Sequence, residues 1–169
     1  MAMLHQPINT DDAAKLANAY LRSGQLKEAE TIFRQVLAVN RNHFDALHGL
    51  GLVAMNLGMF SNAAELIRSA LQQNPFDYTA HNNLGIALMQ QGNLDEAVQS
   101  FNKSLSIKQD YANALYNLAR AHQELGNHGL GLEMMLKARG YVRFTLSQVQ
   151  LLSTIPGEQS KDDIPPKAA

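Results

Sequence analysis

An all-α solenoid of helix hairpins is the fold this chain predicts, and three observations predict it. Gly24, Gly58, Gly92 and Gly126 recur every 34 residues, a period typical of stacked helical hairpins. In the register those glycines set, small residues and large apolar residues fall into aligned columns. Within each half-unit the apolar and small residues recur at i, i+4 and i+7, which places them on one face of a helix. Each unit therefore reads as two amphipathic helices joined by a glycine turn.

Residues 1–9 read as a lead-in, and Asp11 and Asp12 then stand at the positive end of the first helix, where carboxylates are favoured. The first unit, 10–43, places Leu16 and Ala17 before Gly24, then Leu26, Ala29, Phe33, Val36 and Leu37. The second, 44–77, repeats this with Leu50, Gly51, Phe60, Ala63, Ile67, Ala70 and Leu71, and Pro75 ends it. The third, 78–111, has Leu84, Gly85, Leu94, Ala97, Phe101, Ser104 and Leu105. The fourth, 112–144, has Leu118, Ala119, His128, Gly131, Met135, Ala138 and Arg139. Gly129, Gly131 and Gly140 lie in or beside its second helix, and each costs about 1 kcal/mol against alanine inside a helix. The last hairpin is expected to be the loosest. A solenoid needs its terminal apolar face covered, and the spacing of Thr145 and Gln148 matches a capping box. With Phe144, Leu151, Leu152 and Ile155 falling mostly on one face, 145–155 is expected to form a capping helix. Pro156 and Gly157 stop it, and 156–169 reads as a polar, disordered tail.

The segments "LHGLGLVAMNLG", "HNNLGIALMQQGNLDEAVQSFNKSL" and "LYNLARAHQELG" carry these columns most clearly, and through them the chain resembles the tetratricopeptide repeat family over about 130 of its 169 residues. That resemblance implies a right-handed solenoid of four antiparallel hairpins with a C-terminal cap. Two departures stand out: Arg41 and Gln109 occupy the unit ends where the family carries proline, which weakens the helix stop there.

Composition narrows the function classes. The net charge is -1, without the clustered basic face that phosphate neutralisation requires, so no nucleic acid is expected as a partner. No run of about 18 apolar residues exists, and the first ten residues have neither the basic start nor the apolar stretch of a signal peptide. No membrane insertion is expected, and a cytoplasmic location follows by default. With no cysteine, thiol catalysis, thiolate metal sites and disulfides are excluded.

Six histidines are the first candidates for chemistry: His5, His43, His48, His81, His122 and His128. None forms an HExxH or i, i+4 pair, and no carboxylate completes a ligand set, so no metal is expected. His81 and His122 fall in columns that pack between helices. The glycines belong to turns and close helix contacts, not to a phosphate loop, and no nucleophile elbow is present. Neither a cofactor nor an enzymatic activity is expected, since function has to be argued from a site.

In the family, the first helices of successive hairpins line a concave groove through their second, fifth, ninth and twelfth residues. The resemblance thereby points to Asp11, Ala14, Asn18 and Leu21; Asp45, His48, Leu52 and Met55; Thr79, Asn82, Ile86 and Met89; and Asn113, Tyr116, Arg120 and Gln123. An apolar centre of Leu52, Met55, Ile86 and Met89 would be flanked by Asn18, Asn82, Tyr116 and Arg120. Methionines at equivalent places suit recognition of an irregular apolar side chain. Burial and backbone-directed hydrogen bonds are what a peptide groove requires.

Two comparisons within the family refine the expectation. The two-carboxylate clamp that holds chaperone tails would need Lys, Asn, Asn, Lys and Arg where this chain has Ala14, Asn18, Gly49, Thr79 and Asn83, or, one unit later, His48, Leu52, Asn83, Asn113 and Asn117, so each frame matches at one asparagine and lacks every cation. The clamp is absent. The repeats also resemble those preceding catalytic domains of O-linked N-acetylglucosamine transferase-like enzymes and bacterial sulfotransferases, which carry a row of asparagines at position six. Here that row is Lys15, Gly49, Asn83 and Asn117, half of it amide. The leading expectation is a non-catalytic scaffold that binds a peptide or protein segment in the groove. Its rivals are a structural subunit that self-associates weakly through its repeats, and an accessory that recruits substrate for a separate transferase.

Overall fold

The computed structural model describes residues 9–140, which form eight helices and no strand. They are α1 (Thr10–Arg22), α2 (Leu26–Val39), α3 (Phe44–Asn56), α4 (Phe60–Gln73), α5 (Tyr78–Gln90), α6 (Leu94–Ile107), α7 (Ala112–Glu124) and α8 (His128–Ala138). The expected lead-in, the capping helix at 145–155 and the tail at 156–169 fall largely or wholly outside the described residues.

The starts of two helices are secured by side chains. Asn9 Oδ1 accepts from the backbone N–H groups of Asp11 at 3.0 Å and Asp12 at 3.4 Å, and Asp77 Oδ1 accepts from that of Ala80 at 2.7 Å, satisfying donors that a helix N-terminus leaves unpaired. The four hairpin turns share one solution. Gly24, Gly58, Gly92 and Gly126 have φ of 79°, 73°, 78° and 78°, a left-handed conformation in which a Cβ would be strained. Around them the N–H of the following residue reaches back across the turn: Gln25 to Tyr20 at 2.9 Å, Met59 to Ala54 at 2.9 Å, Asn93 to Leu88 at 3.0 Å and Asn127 to His122 at 2.8 Å. This is the Schellman arrangement, and it reverses the chain within three residues.

Stacking order follows from which helices touch. Each helix packs on the next in sequence, and the first helices also meet each other directly, as α1·α3, α3·α5 and α5·α7; among the described residues no two second helices do so. The first helices therefore form the tighter, inner wall of the stack and the second helices its outer layer.

Within hairpins the small column is closed to water: Ala29, Ala63 and Ala97 are wholly buried, and Gly131 is buried with them. A Cβ built on Gly51 would lie 2.6 Å from the Ile67 side chain, and one on Gly85 would lie 2.5 Å from the Phe101 ring, so glycine is what lets these helices close on a large residue. Unit one differs. Its equivalent small residue is Ala17, and the Phe33 ring also reaches the next unit, where it fills the place a Cβ on Gly49 would take. Leu16 is a second departure, 50% exposed although Leu50, Leu84 and Leu118 in the same column are buried, because among the described residues no unit precedes α1 to cover it. The last hairpin is the thinnest part of the core: Gly131 is the only buried residue of α8, and Leu130 and Leu132 are 47% and 57% exposed.

Candidate functional site

The inner wall formed by α1, α3, α5 and α7 brings the expected groove residues together, but not as uniformly as a fixed repeat suggests. Leu52, Met55 and Ile86 are half-buried at its centre, with Asn18 beside them on α1 and Arg120 on α7. Met55 and Ile86 also pack against the core beneath. Tyr116 is exposed. Arg120 lies 3.9 Å from Glu124 one turn along α7, an exposed pair of little energetic weight. Three expected wall residues are buried: Ala14 wholly, Met89 at 5% exposure and Asn82 at 3%. The expected twin surface of Met55 and Met89 therefore gives way to Met55 alone, because Met89 is packed into the core cluster while Met55 only rests against it.

Position six of one first helix and position five of the preceding one form a repeated polar contact. Asn83 Nδ2 lies 3.0 Å from His48 Nε2, and Asn117 Nδ2 donates to Asn82 Oδ1 at 3.0 Å. Asn82 Nδ2 in turn points at Asn83 Oδ1 at 3.5 Å. His48, Asn83, Asn82 and Asn117 are thereby strung as rungs across α3, α5 and α7. Reading the asparagines as a free row missed this: each has one amide group already committed to the neighbouring helix. At the first junction the equivalent residues are Ala14 and Gly49, which have no side-chain donor or acceptor to form a rung, and the Phe33 ring fills the space beside Gly49.

Electrostatics fixes the roles within the first rung. Burial holds the His48 imidazole below the usual histidine range, against the opposing pull of the Asp77 and Asp45 carboxylates. A neutral imidazole leaves Nε2 free to accept from the Asn83 amide. His81 contacts the Pro75 carbonyl at 3.0 Å through Nε2 and His122 is half-buried, so both serve the packing. His43, buried at the start of α3, lies 3.0 Å from the exposed Asp11 carboxylate, tying units one and two at the wall's edge.

Among the described residues no group of three or more His, Cys, Asp or Glu side chains could hold a metal ion, and no helix is long and apolar enough to cross a membrane. What the wall offers chemically is half-exposed aliphatic surface beside oriented amides.

Two family models, both described as tetratricopeptide repeat, match this chain, one at residues 14–77 and 48–112 and the other at 88–139. No curated protein matches it. Among solved structures, a crystal structure of MamA is similar with a TM-score of 0.73 at 20% identity, over 80% of each chain. MamA 41-end from Desulfovibrio magneticus RS-1 gives a TM-score of 0.72 at 20% identity, over 79% of this chain and 75% of that one. MamA from AMB-1 gives 0.65 at 24% identity, over 78% and 72%. At such identities the likeness is one of fold.

Proposed function

This chain belongs to the tetratricopeptide repeat family of protein–protein interaction scaffolds, and from that premise we propose that it holds an extended peptide or partner segment along the inner wall of α1, α3, α5 and α7. The observation that carries the proposal is the strip of half-buried Leu52, Met55 and Ile86 lying beside the rungs His48–Asn83 and Asn82–Asn117. Aliphatic surface supplies affinity by burial. Side-chain amides both donate and accept, so those already oriented by one bond can hold a peptide backbone with their remaining capacity at little further entropic cost. In this role the chain is a scaffold without catalytic activity of its own.

Leu52→Glu tests this. Leu52 is half-exposed and stands outside both core clusters, so the fold should persist by circular dichroism while a charge enters the apolar strip. A partner recovered from the source cell and titrated against both proteins should bind the variant roughly ten- to a hundredfold more weakly. Unchanged affinity would move the site off the inner wall.

Self-assembly is the second reading, and the exposure of Leu125, Leu130 and Leu132 on the last hairpin favours it, since contiguous apolar surface seeks cover. Light scattering decides between the two: a molar mass that stays monomeric across a wide concentration range would rule out assembly.

A further inference from the structure

The inner wall differs across its width. At the edge where its helices begin stand three carboxylates: Asp11 on α1, which lies 3.0 Å from His43; Asp77, which caps α5 by accepting from the Thr79 hydroxyl and the Ala80 N–H; and Asp45 on α3, the one of the three without a partner among the described residues. At the edge where they end stand Leu21 and Met55, both half-buried aliphatic side chains. Asp45 is the single Asp, Glu, Lys or Arg in the 13 residues of α3, and α5 has none. Asp45 is exposed and meets no cation among the described residues. Of the basic side chains on neighbouring segments, Lys15 bonds Asp12 at 3.1 Å, Lys108 sits 4.9 Å from the centre of the Tyr78 ring, and Arg41 lies on the turn between α2 and α3. His48, between Asp45 and Asp77, is neutral where a cation would otherwise answer them.

We infer that the occupant of the wall over units one to three is an extended segment in which Lys or Arg alternates with large aliphatic residues. This rests on the groove reading above and names the class of partner. An extended chain sends successive side chains to opposite sides, so a segment lying along the stack presents one set to the carboxylate edge and the other to the Leu21 and Met55 edge. The long apolar stems of Lys and Arg suit the passage across the wall, with only the charged head reaching the aspartates. Complementary charge then sets orientation and rejects acidic segments more than it adds raw affinity.

The experiment uses the full chain and three labelled eight-residue peptides, alternating Lys-Leu, Ser-Leu and Glu-Leu, followed by fluorescence anisotropy at low and high salt. The Lys-Leu peptide should bind roughly fivefold tighter than Ser-Leu at low ionic strength, and the difference should shrink as salt rises. Asp45→Asn should remove most of that preference, and Asp45→Lys should turn it toward Glu-Leu, with circular dichroism unchanged for both. Equal binding of Lys-Leu and Ser-Leu, or tighter binding of Glu-Leu by the unmodified chain, would overturn the charge class while leaving the groove intact. Binding of none of the three by a folded protein would overturn the groove reading as well.

Discussion

The first junction of the solenoid and the two that follow join hairpins in different ways. Between units one and two the Phe33 ring, fully buried, presses into the space left by Gly49. Between units two and three and between three and four the same stretch of wall carries the His48–Asn83 and Asn82–Asn117 contacts, while Ile67 and Phe101 fill the places that a Cβ on Gly51 and Gly85 of their own hairpins would take. Glycine at position 49 is what admits the ring there, since any Cβ would meet it. The lesson is that a junction can be sealed by an apolar ring or lined with amides, so the amide rungs begin only at unit two although every unit contributes to the wall.

The most severe way to break that comparison is Phe33→Ala, which should cost about 3–5 kcal/mol by emptying a fully buried ring site and lower the thermal midpoint accordingly. Gly49→Ala should cost about 1–3 kcal/mol by driving a methyl into the same ring. In a double-mutant cycle, Phe33→Leu should relieve much of the Gly49→Ala defect; strict additivity of the two would show that ring and glycine do not meet.

Contacts inside a hairpin supply the next comparison. Ala97 is wholly buried and Gln99, two residues along, is exposed. Ala97→Leu should therefore destabilise by about 1–3 kcal/mol and Gln99→Leu by less than about 0.5 kcal/mol. Equal denaturation midpoints for the two would contradict the register of the small column.

The amide rungs should respond less. Asn117→Ala leaves the buried Asn82 carbonyl oxygen without its partner, and an unsatisfied buried group costs about 1–3 kcal/mol. Asn83→Ala, opposite the half-buried His48, should cost less because water can replace the amide there. Urea unfolding of both variants orders them. If neither moves the midpoint, the rungs orient amides without joining the units.

The smallest effect is on pH. A histidine whose imidazole is held below its usual range in the folded state takes up its proton more readily once unfolded. The stability it contributes is thus full above the unfolded value of about 6.5 and declines as pH falls from there toward the folded value. His48 should give this slope, and His48→Asn should flatten it between about pH 7 and pH 5; a chemical-denaturation series with an identical slope in both proteins would exclude His48 as its source.

What the sequence determined by itself is everything set by short-range rules repeated in each unit. The glycine turns, the wholly buried Ala29, Ala63 and Ala97, and the large residues facing small ones follow from helical periodicity and from the absence of a Cβ where the backbone must turn left-handed. The 34-residue spacing of Gly24, Gly58, Gly92 and Gly126 made those rules visible four times over. The tertiary structure alone decided how one unit sits on the next. The rungs join residues 35 apart, one step off the period, Met89 and Asn82 turn inward while Met55 and His48 stay half-exposed, and Phe33 crosses a junction. Equivalent positions in a repeat share a local helix face, but their burial depends on how far each helix sinks between its neighbours. That depth is set by the volumes of side chains packed from other units, which no period in the chain encodes.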